Sequence, residues 1–240
     1  FSYDKKEILH DISVGIPDRT TTAVIGPSGS GKTTMCSLIA RFWDTDRGVI
    51  KIGGIDIRDY TLESLMDQIS MVFQNVYLFA DTIENNIKFG KPEASHEEVV
   101  KAAKKACCHD FIIKLPQGYD TVIGEGGNSL SGGEKQRISI ARAMLKDAPI
   151  IIFDEATANV DPENEDRLQK AMEELTRDKT ILMIAHRLKT VRNADQILVL
   201  NQGSIVQRGN HEDLIQRKGY YADFIQGRQK AAGWKLKAED

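Results

Sequence analysis

The chain has 240 residues, is 41% apolar and 28% charged, and carries a formal charge of -3 from 32 basic and 35 acidic side chains. That is the balance of an ordinary soluble globular protein of one large domain or two small ones, with no bulk electrostatic case for nucleic acid or an anionic membrane. No apolar run approaches the ~20 residues that span a bilayer, and no signal peptide is visible. Three cysteines (Cys36, Cys107, Cys108) without a Cys-x2-Cys pair argue against zinc and for reduced thiols in a cytosolic compartment. The start on Phe1-Ser-Tyr3, without Met, is what a piece of a longer protein would show.

Residues 1–25 read as strands. Ile12, Val14 and Ile16 alternate before a Pro17-Asp18 turn, and Tyr3 reads as a half-buried strand aromatic. Thr22-Ala-Val-Ile25 is a short apolar run of the buried-strand kind. It runs straight into Gly26, Pro27, Ser28, Gly29, Ser30, Gly31, Lys32, Thr33 and Thr34, which fit Gly-x4-Gly-Lys-[Ser/Thr]. Met35, Leu38, Ile39 and Phe42 then recur on one face of a helix. Strand, glycine loop and helix together make a phosphate cradle. Glycines let successive N–H groups turn inward, and the helix start adds its positive dipole end. Lys32 offers a point charge to the β- and γ-phosphates, and Thr33 a hydroxyl to Mg²⁺.

Further on, Ile50/Ile52 and Ile55/Ile57 flank Gly53-Gly54 as a hairpin. Ile69–Phe73 is a short strand followed at once by Gln74. Residues 82–146 carry helical patterns. Ser95 and Glu98 have capping-box spacing ahead of Val99, Ala102, Ala103 and Ala106. Leu115-Pro116-Gln-Gly118 breaks the pattern, and a polar glycine loop runs over 124–128. Leu130-Ser131-Gly132-Gly133-Glu134 then enters a helix with Ile138, Ala141 and Leu145 inward, and Ser131/Glu134 repeat the capping-box spacing. Capping alone leaves the paired glycines unexplained, since each costs about 1 kcal/mol where helical. They make sense if something approaches the backbone, so this helix start with bare N–H groups is a second anion site.

Ile150–Phe153 is a continuous apolar run ending in Asp154-Glu155, as in a parallel strand covered on both faces. Asp161-Pro162 caps a helix with Leu168, Ala171, Met172 and Leu175 on one face. Ile181–Ala185 is the next buried strand, and His186 follows it. Residues 195–208 read as a hairpin turning at 201–203. One amphipathic helix with Leu214, Ile215, Tyr220, Tyr221, Phe224 and Ile225 closes the fold, and 227–240 read as a polar tail.

Four apolar strands thus end just before Gly26, Gln74, Asp154-Glu155 and His186. Ligands of parallel α/β sheets bind beyond the carboxyl ends of their strands. These residues therefore form a coherent Mg-nucleotide hydrolysis constellation. In that constellation Asp154 would hold Mg²⁺, directly or through water, Gln74 would contact the metal or the attacking water, Glu155 would polarise that water, and His186 would sense or bind the γ-phosphate.

With those motifs in hand, residues 1–225 resemble the nucleotide-binding domain of an ATP-binding cassette transporter. Leu130–Glu134 is similar to that family's signature sequence. The resemblance implies an α/β P-loop NTPase core with a mostly parallel sheet, an N-terminal antiparallel β subdomain and an inserted helical subdomain at about 82–146. It implies ATP and Mg²⁺ as ligands, with Tyr3 stacked on adenine and Gln74 communicating with a membrane domain. Asp154 is then the metal-binding acid and Glu155 the catalytic acid, Asp161 lies in a dimer-contact loop, and His186 is a switch histidine. It also implies a head-to-tail dimer in which Ser131, Gly132 and Gly133 of one copy close over ATP held by the other. Leu78–Ile87 and Ile123–Gly126 resemble the exporter branch, where membrane helices usually precede this domain in the same chain, at the cytoplasmic face of the membrane. Ala158-Asn-Val-Asp161 departs from the usual Ser-Ala-Leu-Asp. A chromosome-maintenance ATPase would need a heptad insert that is missing, a ribosome-associated cassette protein would carry two such domains, and a small-molecule kinase would not need the signature.

Overall fold

Two short antiparallel ladders lie in the N-terminal part: β1 (Ser2–Tyr3) with β2 (Lys6–Glu7), and β4 (Lys51–Ile52) with β5 (Ile55–Asp56). Between them β3 (Thr21–Ile25) leads into α1 (Lys32–Ile39). Then come α2 (Leu62–Gln68), β6 (Ile69–Val72), α3 (Ile83–Lys88), α4 (His96–Lys105), α5 (His109–Ile112) and α6 (Gly132–Lys146). The chain continues through β7 (Ile150–Asp154), α7 (Pro162–Thr176), β8 (Thr180–Ile184), α8 (Leu188–Arg192), β9 (Gln196–Asn201), β10 (Ser204–Gly209) and α9 (His211–Ile215). This computed structural model describes residues 1–73, 75–127, 129–154, 162–185 and 188–227. Gln74, Glu155, Asp161, His186 and the tail beyond 227 lie outside the described residues. Among the described residues no helix is long and apolar enough to cross a membrane.

The chain divides into two compact units. The first holds Phe1–Thr61 and the chain from Ile181 onward. Its strands run in the order β10-β9-β3-β8. β3 is parallel to β8, Thr21 opposite Ile181, and parallel to β9, Ile25 opposite Val199. β9 and β10 form an antiparallel hairpin turning at Gln202 (φ 47°) and Gly203 (φ 83°), the left-handed pair that suits a two-residue turn. The apolar runs of β3, β8 and β9 are buried almost throughout, as expected of strands covered on both faces.

The second unit is Leu62–Thr180. Its parallel pair β6–β7 sets Ile69 opposite Ile150 and Val72 opposite Phe153. Helix α6 packs against α3, α4, α7 and β6 and buries Ile138, Ile140 and Ala141 completely. Both expected capping boxes form. Ser95 Oγ accepts the Glu98 N–H at 3.2 Å while Glu98 Oε2 accepts the Ser95 N–H at 2.8 Å, and Ser131 with Glu134 repeats the arrangement.

Three local expectations change. Ile12, Val14 and Ile16 are half-buried in alternation but join no ladder. The Gly15 carbonyl there accepts from the Gln196 side chain, not from a strand backbone. Phe42 is not on the inner face of α1, because the helix ends at Ile39 and Phe42 is 52% exposed. The single C-terminal helix is two short ones, α9 and residues 220–227, separated near Gly219 (φ 145°). Leu214, Tyr221 and Ile225 are buried, whereas Ile215 and Tyr220 are exposed.

Removing the α4 cap isolates one local term. Ser95→Ala should lower the unfolding free energy by about 1 kcal/mol in urea titrations, with the denaturant slope unchanged.

Candidate functional site

Within the first unit the glycine loop is shaped from outside as much as by its own sequence. Gly26 has φ 152°, and a Cβ on it would lie 2.0 Å from the Leu200 carbonyl oxygen and 2.9 Å from Ser30 Oγ. The β3–β9 register continues past Ile25 and Val199, so it brings Leu200 beside Gly26. Gly31 (φ 101°) would drive a Cβ to 2.5 Å from Leu9 Cδ2. The Gly203 N–H donates to the Ser30 carbonyl at 3.3 Å. Leu9, Leu200 and Gly203 are therefore parts of the site that the motif did not identify. The only sequence signal for the last two was the hairpin pattern at 195–208.

Pro27, Ser28 and Gly29 form the exposed crest of the loop. Helix α1 begins at Lys32 with Gly31 as N-cap, no side-chain cap and no acid in the first turn. Its first N–H groups have no intrahelical acceptor, and the helix dipole places about half a positive charge there. The Lys32 ammonium folds back onto the loop, donating to the carbonyls of Gly26 at 3.0 Å and Pro27 at 2.8 Å. Ser30 Oγ is buried and has no hydrogen-bond partner among the described residues. A helix start with no acid in its first turn, beside a lysine and an orphaned hydroxyl, fits a polyanion such as a phosphate chain. Thr33 at the second helical position is exposed and Thr34 half-buried.

Tyr3 lies in β1. Its ring packs edge-on against two others, Phe1 at 4.9 Å and Trp43 at 5.3 Å, and these set its orientation.

In the second unit, Asp154 closes β7 and is half-buried. The α6 start differs from that of α1 and from the expectation of bare amides. Ser131 Oγ accepts the Glu134 N–H, and Glu134 Oε2 accepts both the Ser131 N–H (2.8 Å) and its hydroxyl (2.9 Å). The capping box uses the third helical amide and leaves those of Gly132 and Gly133. A Cβ on Gly132 would meet nothing within 4 Å, so packing inside the unit does not demand glycine there. Gln136, buried one turn further on, donates to the Phe73 carbonyl at 3.4 Å and so ties α6 to the residue before Gln74.

The two exporter-like stretches are bonded to each other. Ile123 N–H donates to the Asp81 carbonyl, Gly126 N–H to that of Leu78, and Ile83 N–H to that of Thr121. Tyr77 OH donates to Glu125 Oε1 at 3.2 Å, and that bond pushes the phenol pKa up. Tyr77, Phe79 and Phe89 follow in edge and tilted contact and are all exposed, Phe89 at 62%.

The first unit holds Tyr3 and the stretch from Gly26 to Thr34, of which only Pro27, Ser28, Gly29 and Thr33 are exposed, and the second holds Asp154 and Ser131 to Gly133, of which Ser131 and Gly132 are exposed. Each unit carries an oxygen donor of the kind a hard cation prefers, the Thr33 hydroxyl in the first and the Asp154 carboxylate in the second. Among the described residues no group of three His, Cys, Asp or Glu could hold a metal by itself.

A family model described as "ABC transporter" matches residues 9–158. The ATP-dependent lipid A-core flippase of Syntrophus aciditrophicus is 53% identical over 221 residues, 92% of this chain and 37% of its own. The putative multidrug export ATP-binding/permease protein YgaD of Bacillus subtilis is 48% identical over 221 residues, 92% of this chain and 38% of its own. The structure of a bacterial Atm1-family ABC exporter with ATP bound aligns with a TM-score of 0.89 at 46% identity. That alignment covers 95% of this chain and 40% of the other. The chain thus spans about two fifths of the length of these proteins.

The glycines sort by function. Gly26→Ala should abolish nucleotide binding and lower the melting temperature, because the Leu200 carbonyl cannot be displaced without breaking the β3–β9 pair. Gly132→Ala should leave stability within about 0.5 kcal/mol of the parent. Thermal and urea unfolding of the two variants read this directly.

Proposed function

The chain belongs to the ABC transporter family, and from that premise we propose how its residues divide the work of an ATP-hydrolysing domain that powers export. The observation that carries this reading is the uncapped, acid-free start of α1 with Lys32 folded over the loop. The loop amides and Lys32 hold the β- and γ-phosphates, and Tyr3 stacks on the adenine. Thr33, Asp154 and Gln74 hold magnesium, which when bound neutralises charge on the phosphate oxygens. Glu155, next in sequence to the strand-end Asp154, polarises the attacking water, and His186 contacts the γ-phosphate.

Residues 1–226 form one nucleotide-binding domain, with the helical segment 82–146 inserted in a RecA-like core and a polar tail after it. Two copies associate head to tail. Ser131, Gly132 and Gly133 of one copy close over ATP in the other, with Asp161 in the contact. The open space over Gly132 supports this, because a partner's phosphates need that approach. A transmembrane domain, upstream in the parent chain, docks on the exposed aromatic face of Tyr77, Phe79 and Phe89. The domain works at the cytoplasmic face of the membrane, and the parent exports its substrate outward.

Glu155→Gln should keep ATP affinity, slow hydrolysis by about 10²–10⁴-fold and trap an ATP-bound dimer on size exclusion. Hydrolysis near the parent rate would remove Glu155 from the mechanism. For the shared site, dimers mixing Ser131→Arg with parent copies should lose turnover at the partner's nucleotide. Loss confined to the mutated copy's own nucleotide would overturn the trans arrangement.

A further inference from the structure

Ten residues past Gly132 on α6, Arg142 makes contacts that the nucleotide site does not use. Its Nε donates to the Asn86 carbonyl at 2.8 Å and its Nη2 to Asn86 Oδ1 at 3.3 Å. Its guanidinium lies over Phe89 at 5.4 Å and over Phe79 at 5.8 Å, and those rings are 4.7 Å apart. Among the described residues no carboxylate pairs with it, and burial pushes its pKa down to about 10. The backbone at the same residue makes a further contact: a Cβ on Gly90 would sit 2.3 Å from the Arg142 carbonyl oxygen. Asn86, itself buried, holds the preceding loop. Its Oδ1 accepts the Phe79 N–H, and its Nδ2 donates to the carbonyls of Phe79 and Thr82. Segment 79–90 is thus fastened to one residue of α6, through side chain and main chain alike.

We propose that Arg142 is a positioning residue that ties the exposed aromatic face to the signature helix, so that nucleotide closure at Gly132 and docking at Phe79 and Phe89 are energetically linked. The proposal rests on the reading above that this face receives the membrane part. The lever is short: ten residues of α-helix are about 15 Å. It is stiff because α6 is packed on several sides. A guanidinium suits the role, since its planar fork bonds Asn86 while its faces stack on aromatic rings. A lysine ammonium can do neither as well. Linkage is reciprocal: whatever the nucleotide does to the aromatic face, docking there does to nucleotide affinity.

The test is hydrogen exchange on the full transporter, with and without magnesium and the non-hydrolysable analogue AMP-PNP. In the parent, exchange should slow over both 130–137 and 79–90. In Arg142→Lys it should slow over 130–137 as before, while the response of 79–90 falls at least about fivefold, the lower range of allosteric couplings. The melting temperature is measured alongside. A parent whose 79–90 amides ignore the analogue overturns the proposal. So does an Arg142→Lys protein that keeps both responses, or one that loses both together with its stability. Should Arg142→Lys fail to fold, the parent measurement and Phe89→Leu, which removes one stacking ring, decide the matter on the same criterion. The docking reading fails separately, if Phe89→Lys leaves association of the domain with the membrane part unchanged.

Discussion

The nucleotide site depends on a carbonyl that belongs to another strand. Leu200 O occupies the space that a side chain at position 26 would need, at 2.0 Å from the ideal Cβ. That close approach is available to glycine alone, and it fixes how the loop leaves β3. The β3–β9 register makes it inevitable: once Ile25 faces Val199, the next residue of each strand must meet. Hydrogen bonding at the hairpin turn then holds Ser30, and Leu9 packs on Gly31 from the other side. The turn at Gly26 is therefore tied to sheet pairing, through strands that carry no motif.

The second unit is built around α6 in a comparable way. One helix supplies the signature residues at its start, a hydrogen bond from the Gln136 side chain to the Phe73 carbonyl one turn later, and the Arg142 clamp further along. Its apolar residues Ile138, Ile140 and Ala141 fill the middle of the unit. Fully burying an isoleucine is worth about 1.5–3 kcal/mol, so the helix is fixed by its packing and its polar contacts are held in register by that packing. A polar residue on such a helix cannot shift alone, which lets a contact at one end report on the other.

Much of this was legible in the sequence, for physical reasons. The apolar runs at 22–25, 69–72, 150–153 and 181–184 are strands because near-continuous apolar residues, many of them β-branched, suit a sheet covered on both faces. Gly53-Gly54 turns because both residues adopt positive φ, 59° and 84°. The capping boxes at Ser95 and Ser131 follow from local bonding geometry, which sequence spacing encodes directly. What failed to show was long-range. Nothing in Ile12, Val14 and Ile16 reveals that no strand will pair with them. Phe42 continues the helical period although the helix has ended. The Leu200 and Gly203 contacts to the loop join residues far apart in the chain, so no periodicity can announce them. The Arg142 clamp escaped for the same reason: an arginine on a helix reads as solvated surface until its neighbours are known.

The two helix starts are built differently, and the difference explains why one reads as a binding site and the other as half of one. Helix α1 has no side-chain cap, no acid in its first turn and a lysine at its first position, so every local charge favours a polyanion. Helix α6 keeps a serine cap and places Glu134 in its first turn. The capping box satisfies that end without any ligand and puts negative charge where an anion would come. Only the amides of Gly132 and Gly133 remain to be offered, with open space at the Cβ position of Gly132 and with Gly133 itself buried. Such a surface holds a phosphate weakly by itself and contributes once the charge has been gathered by a stronger cradle. The proposed head-to-tail dimer agrees with that contrast: in it the stronger cradle at Lys32 takes the triphosphate first, and the signature helix engages once two copies have assembled.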